Sequence, residues 1–165
     1  MELRKLDPAK HAGLVAGLFF KANDYVRLTE GLDAGPAQVA GFFKGVPPGC
    51  DITQSVKVGL FEGDALLGIA DMAFGYPEAG DGYIGLLLLA PEARGQGVGK
   101  ALLALLEEEA RARATERLFV GVVQANVPAR AFWLREGFMP MKTLGPVKVG
   151  AQTHMVDRMG KSLGR

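Results

Sequence analysis

The stretch "IGLLLLAPEARGQGVGKALL", residues 84–103, changes character twice. With Tyr83 in front, "YIGLLLL" (83–89) is a short apolar run with little alternation. That pattern suits a strand covered on both faces, as in a parallel pairing. A turn follows with glycines at 95, 97 and 99 and cations at 94 and 100. A helix is predicted from Val98 to Ala114, with Leu102, Leu105, Leu106 and Ala110 at helical spacing. Glu107 with Arg111 and Glu109 with Arg113 are i,i+4 pairs, and the EEE cluster reads as a solvated face. "LFVGVV" (118–123) is the next buried strand. Residues 83–123 thus form a βαβ unit, expected to be right-handed with parallel strands.

Working outward, "LRKL" (3–6) reads as a strand. A helix is predicted from Pro8 to Asn23, capped by Asp7 with Pro8 in its first turn. "GPAQVAGFF" (35–43) reads as a shorter helix, and "VPPGCD" (46–51) as a loop. Residues 57–74 read as a hairpin turning at Gly63-Asp64. "NVPARAFWLREGF" (126–138) is a marked helix. Asn126 caps it, Pro128 opens it, Gly137 ends it in the left-handed conformation and Phe138 packs back. Two further strands fit near residues 139–144 and 153–160. The alternation of elements gives an α/β domain with a mixed sheet, taken as a single domain over 1–165.

Composition excludes several classes. Hydrophobic residues make up 48% and charged residues 22%, as in a globular protein, and the formal charge is +1. No basic run or aromatic interleaving points to nucleic acid or an anionic membrane. No segment has the roughly 20 apolar residues that a bilayer span needs. "HAGLVAGLFF" is too interrupted for a signal peptide, with Asp7 and Pro8 before it and Lys21 behind. Cys50, the only cysteine, cannot form an internal disulfide, which suits a reducing cytoplasm.

A glycine-rich turn opening a helix suits an anion. The first N–H groups of a helix lack intrahelical acceptors, and the macrodipole adds roughly half a positive charge there. Glycine lets a phosphate approach closely, and Arg94 adds a fork of donors. The nucleoside-triphosphate loop fails, because Arg94 stands where its first glycine belongs and Ala101 replaces its hydroxyl residue. The dinucleotide fingerprint fails as well. The pattern [QR]-x-x-G-x-[GA] matches fully as Arg94, Gly97 and Gly99.

With these two segments the chain resembles the GNAT superfamily of acyl-CoA-dependent N-acyltransferases. Residues 84–103 look like its acetyl-CoA motif, and residues 126–138 match its N-x-x-A-x-x-[FL]-[YW]-x-x-x-G-F segment. The resemblance implies a mixed, mostly antiparallel central sheet flanked by helices, with the parallel βαβ unit holding the cofactor. It implies acetyl-CoA or coenzyme A as co-substrate. The backbone of Arg94, Gly95, Gln96, Gly97, Val98, Gly99 and Lys100 would hold the pyrophosphate. The strand backbone at Leu87, Leu88 and Leu89 would pair with the pantetheine amides, and the Leu87 N–H would serve the oxyanion. Asn126, Ala129, Phe132 and Trp133 would border the cofactor's path. The acceptor would be a small-molecule, peptide or protein amine, and no metal, nucleic acid or membrane is implied; a homodimer is compatible with it.

The chain departs from the family at Trp133, where a tyrosine often serves as the acid for the departing thiolate. An indole N–H donates a hydrogen bond but does not usefully transfer a proton, so packing is the simpler role. No glutamate stands in "YIGLLLL" as a base. Asp71 shares a strand face with Leu67, Ile69 and Ala73, so it should be paired or line a cleft. It is a candidate to attract a substrate ammonium or accept its proton, or else a structural cap. Tyr83 is a further catalytic candidate, and Tyr25 and Tyr76 are acceptor-contact candidates. Glu78 reads as solvated, and His11, His154 and Cys50 as structural or loop residues. An acyl-CoA-binding module without turnover and a transferase for longer acyl groups stand as alternatives.

Overall fold

The computed structural model describes residues 1–164. Among them a seven-stranded sheet runs in the order β1-β2-β3-β4-β5-β7-β6. Its strands are β1 (Glu2–Lys5), β2 (Val56–Glu62), β3 (Ala65–Phe74), β4 (Asp81–Leu89), β5 (Arg117–Val123), β6 (Met139–Val149) and β7 (Gln152–Ser162). Every neighbouring pair is antiparallel except β4 and β5. The helices are α1 (Pro8–Lys21), α2 (Asn23–Glu30), α3 (Pro36–Lys44), α4 (Val98–Ala112) and α5 (Val127–Arg135). Asp7 Oδ1 accepts the Ala9 N–H at 2.7 Å, as a cap before Pro8 should. α1 and α4 both pack on β3, and Leu102, Leu103, Leu106 and Ala110 of α4 are buried in the common core. The parallel partner β5 follows that helix, so 81–123 is the expected βαβ unit.

Four expectations change. The helix predicted over 8–23 breaks at Ala22 (φ −95°, ψ 31°), and α2 follows at once. Its eight residues were not foreseen, although Gly31 at φ 73° is an ordinary left-handed stop for it. Strand β4 is not parallel throughout. It pairs antiparallel with β3 along its length and meets β5 only from Asp81↔Arg117 to Ile84↔Val120. Glu107 does not belong to a solvated face: it is buried and receives the Lys161 ammonium at 2.8 Å, beside the Arg111 pairing at 3.6 Å. The last two strands reach further than expected, and their hairpin tip docks on α2. The Ala151 N–H donates to the Glu30 carbonyl at 2.7 Å, and His154 Nε2 meets the Thr29 carbonyl at 2.8 Å.

Candidate functional site

The sheet opens between β4 and β5. After Ile84↔Val120 the next residues would be Gly85 and Gly121, and both are exposed. On the other side of β4 the ladder with β3 continues to Gly68↔Leu89. The Ala90 N–H donates to the opposed Leu67 carbonyl at 2.8 Å. Antiparallel positions alternate between bonded and non-bonded pairs. Leu88 opposite Ile69 is therefore a bonded position, whereas Leu87 and Leu89 direct their N–H and C=O groups to the open edge. Leu88, grouped with these two in the sequence, spends its backbone on β3 and buries its side chain.

The open edge runs into the glycine turn. Gly95 (φ 73°) and Gly97 (φ 78°) both lie in the left-handed region. Gly97 is the N-cap of α4 and supplies no side-chain cap. The first intrahelical bond is the Ala101 N–H to the Gly97 carbonyl at 3.0 Å, so the N–H groups of Val98, Gly99 and Lys100 have no helical acceptor. Gly99 is buried where three elements meet: a Cβ there would stand 3.2 Å from Phe132 Cε1 of α5 and 3.4 Å from Leu89 Cδ1 of β4. Gln96 is tied locally, donating to the Glu92 carbonyl at 2.8 Å. Lys100 is exposed. The Arg94 fork is engaged by a carboxylate in this structure. It forms two bonds with Asp24 of α2, at 2.6 and 3.1 Å, and this pairing holds the Asp24 carboxyl below its usual range.

On α5, Asn126 Oδ1 accepts the Ala129 N–H at 3.2 Å, so the side chain serves as the cap the sequence called for. Ala129 and Phe132 are half-buried. Trp133 is buried between Phe132 and Phe138, with edge-on ring contacts at 5.1 and 4.9 Å. Gly137 at φ 95° turns the chain so that the Phe138 N–H reaches the Trp133 carbonyl at 2.9 Å. The indole is thus packed into the core by both rings.

Cross-strand partners share a sheet face, and so do residues two apart. The registers therefore place Lys57, Asp71, Tyr83, Gly121 and Arg158 on one face. Asp71 both pairs and caps. Lys57 Nζ lies 3.7 Å from it, and Asp71 Oδ1 accepts the Gly85 N–H at 3.0 Å. Gly85 is the extra residue of a β-bulge, between Asp71↔Leu86 and Met72↔Ile84. Burial pushes the Asp71 carboxyl up to about 6, against the opposing pull of Lys57 and the Gly85 N–H. The Tyr83 ring meets Tyr76 edge-on at 5.3 Å, and its hydroxyl lies over Gly121, where a Cβ would stand 2.6 Å from it. Burial raises the Tyr83 phenol, and Arg158 pulls it back. Burial also raises Tyr25, with the Glu30 and Asp71 carboxylates adding to it. The three tyrosines thus fall in one region around Asp71.

Sequence reading missed Arg158. Its Nη2 donates to the Tyr76 hydroxyl at 2.8 Å, across a separation of 82 residues that no local pattern reveals. Glu78 is exposed. His11 Nδ1 accepts the Asp7 N–H at 2.8 Å. A hollow of about 800 Å³ between α1 and α3 lies away from the opening; apart from Lys44 its lining carries no ionisable group. Among the described residues no cluster of His, Cys, Asp or Glu could hold a metal ion, and no helix is long and apolar enough to cross a membrane.

Residues 40–138 match the Acetyltransferase (GNAT) family, which is more than half of the chain; the protein belongs to that family. An acetyltransferase from Thermus thermophilus has the same fold with TM-score 0.77 at 27% identity, covering 98% of this chain and 96% of that one. The ribosomal-protein-alanine N-acetyltransferase from Brucella melitensis aligns with TM-score 0.74 at 20% identity over 98% and 99% of the two chains. The paia N-acetyltransferase from Thermoplasma acidophilum, solved in complex with coenzyme A, aligns with TM-score 0.68 at 16% identity over 98% of each. At these last two identities the likeness is one of fold. A comparison with curated protein sequences finds no significant match. Family membership makes acyl transfer from an acyl-coenzyme A the class of reaction.

Proposed function

We propose that the protein is an N-acetyltransferase that moves the acetyl group of acetyl-CoA to a primary amine by direct attack. The observation that carries this reading is the open edge of β4, whose unpaired groups at Leu87 and Leu89 lead into the uncapped N-terminus of α4. The pantetheine arm lies along that edge as an added strand, and the pyrophosphate sits on the N–H groups from Gly95 to Lys100. Asn126, Ala129 and Phe132 border its path, and Trp133 supports Phe132 from the core. The Arg94 side chain orders the turn through Asp24 and contributes its backbone to the anion.

The acceptor amine approaches from the face that carries Asp71 and Tyr83. A neutral amine attacks the thioester carbonyl; a C–N bond forms as the C–S bond breaks, and the thiolate leaves. The Leu87 N–H faces the edge and donates to the developing oxyanion. Asp71, with its raised pKa, accepts the amine's proton. Tyr83 stays protonated at neutral pH and donates a hydrogen bond from the same side. A thiolate with pKa about 8.5 leaves without a dedicated acid, so Trp133 does not bar turnover. The lone Cys50 supports a cytoplasmic setting. The test is a thiol-release assay with acetyl-CoA and a panel of amines: release that depends on the amine supports transfer. Binding of acetyl-CoA without any amine-dependent release would instead fit a module without turnover.

A further inference from the structure

The amine acceptor has one more feature written into the sheet. Arg158 of β7 sits opposite Gly121 of β5, which has no side chain and over which the Tyr83 hydroxyl lies. The guanidinium donates to the Tyr76 hydroxyl at 2.8 Å and lies 5.3 Å from that ring's centre. Its Nε is fully covered and has no acceptor among the described residues. No carboxylate among them lies within 4.0 Å of Arg158. Neighbouring buried or half-buried cations are neutralised: Lys57 has Asp71, Arg130 has Asp157 and Lys161 has Glu107. Asp157, next in the chain, points to the other face, where Gln124, Arg130 and Thr143 use it.

A half-buried guanidinium held by a neutral phenol and a ring is costly unless an anion completes it. With Nε covered, a carboxylate is met by the terminal nitrogens, Nη1 and the second hydrogen of Nη2 beside the Tyr76 bond. Asp71 stands on the same face at the far lip of the opening. From β3 to β7 is three strand steps, about 14 Å at ordinary spacing and more where the sheet splays, and both side chains shorten the gap. The Tyr83 phenol between them feels Arg158 and Asp71 with opposite sign. The amine end of an acceptor thus meets Asp71, itself paired with Lys57, and its far end meets a cation that has no carboxylate partner among the described residues.

We propose that Arg158 binds a carboxylate of the acceptor, so that the amine acylated here belongs to a small amino acid rather than to a simple alkylamine. This rests on the transfer reading above, with the amine end near Asp71. The experiment compares matched pairs with and without the carboxylate: lysine with cadaverine, ornithine with putrescine, phenylalanine with phenethylamine. Turnover with acetyl-CoA is measured for each. Binding of each to the protein saturated with coenzyme A is measured by calorimetry. For at least one pair, the acid is expected to exceed its decarboxylated partner at least tenfold in kcat/KM. In Arg158→Gln that advantage falls to near unity through KM, and Arg158→Lys keeps part of it. Melting temperature and coenzyme A affinity of the variants report on folding.

Equal or better use of the decarboxylated partners by the wild type overturns the inference, as does an advantage that survives in folded Arg158→Gln. Acids that bind in an Arg158-dependent way without being acylated sustain the carboxylate site and overturn the transfer reading. No binding and no turnover of any acid at millimolar concentration overturns the inference, whereas turnover of alkylamines alone leaves the transfer reading standing.

Discussion

Asp71 Oδ1 accepts the backbone N–H of Gly85 at 3.0 Å, so a side chain of β3 holds the bulge at which β4 leaves β5. A Cβ at Gly85 would collide with that same oxygen, so the bond and the glycine depend on each other. The opening of the sheet and the most perturbed carboxyl near it are thus one construction.

Burial raises the Asp71 carboxyl from 3.8 to about 6. Between those values the folded protein binds more protons than the unfolded chain, so Asp71 lowers stability as pH rises from 4 through 6, and the loss is complete above that. The two-unit shift corresponds to about 3 kcal/mol. Denaturant titrations of wild type and Asp71→Asn at pH 4 and pH 8 should show the variant gaining on the wild type at the higher pH. A difference between the two proteins that does not move with pH would remove the buried-carboxylate account. In the transfer reaction, kcat/KM should carry an acid limb near pH 6 that is absent from the residual activity of Asp71→Asn.

Trp133→Phe should keep acetyl transfer within a few-fold of wild type. The indole is packed between Phe132 and Phe138, so the loss is one of fit, about 1–3 kcal/mol in stability. A fall in kcat on the order of 100-fold with folding and coenzyme A affinity intact would show that its N–H acts on developing charge.

Tyr83→Phe should lower kcat while coenzyme A affinity stays near the wild-type value. The hydroxyl lies over Gly121, on the face shared with Asp71 and Arg158, not on the edge where Leu87 and Leu89 point. Equal kcat in a folded variant would reduce Tyr83 to packing.

What could be read from the chain was local. Gly97 and Gly99, the Asn126 cap and the Gly137–Phe138 return are settled within a few residues, and each stands where the sequence placed it. The departure of β4 from β5 depends on register across the sheet, and Gly85 alone does not announce it. Asp24 and Arg94 meet across 70 positions, so an arginine that matched an anion motif turned out to be held by a carboxylate. Helix α2 is too short, and too close behind α1, for periodicity to separate the two.

That ion pair has its own consequence. Both partners are more than a third exposed, so Asp24→Asn should change stability by about 1 kcal/mol or less. Because Asp24 occupies the fork, Arg94→Ala should weaken coenzyme A binding less than any change that blocks the turn backbone. A greater loss from Arg94→Ala than from Gly97→Val, measured by calorimetry, would mean that the fork exchanges Asp24 for phosphate.

Acyl transfer by this route requires coenzyme A to lie on the N-terminus of α4 and the free edge of β4. Calorimetric titration of the folded wild type with coenzyme A, run beside Gly97→Val, tests it most directly. Val at φ 78° adds about 1–2 kcal/mol of backbone strain or more and places a branched side chain at the turn. Saturable binding in the micromolar range is expected for the wild type, with a raised melting temperature. A folded Gly97→Val should lose at least tenfold in affinity. Absence of binding to the wild type at millimolar coenzyme A, or undiminished binding to the folded variant, would contradict that placement of coenzyme A.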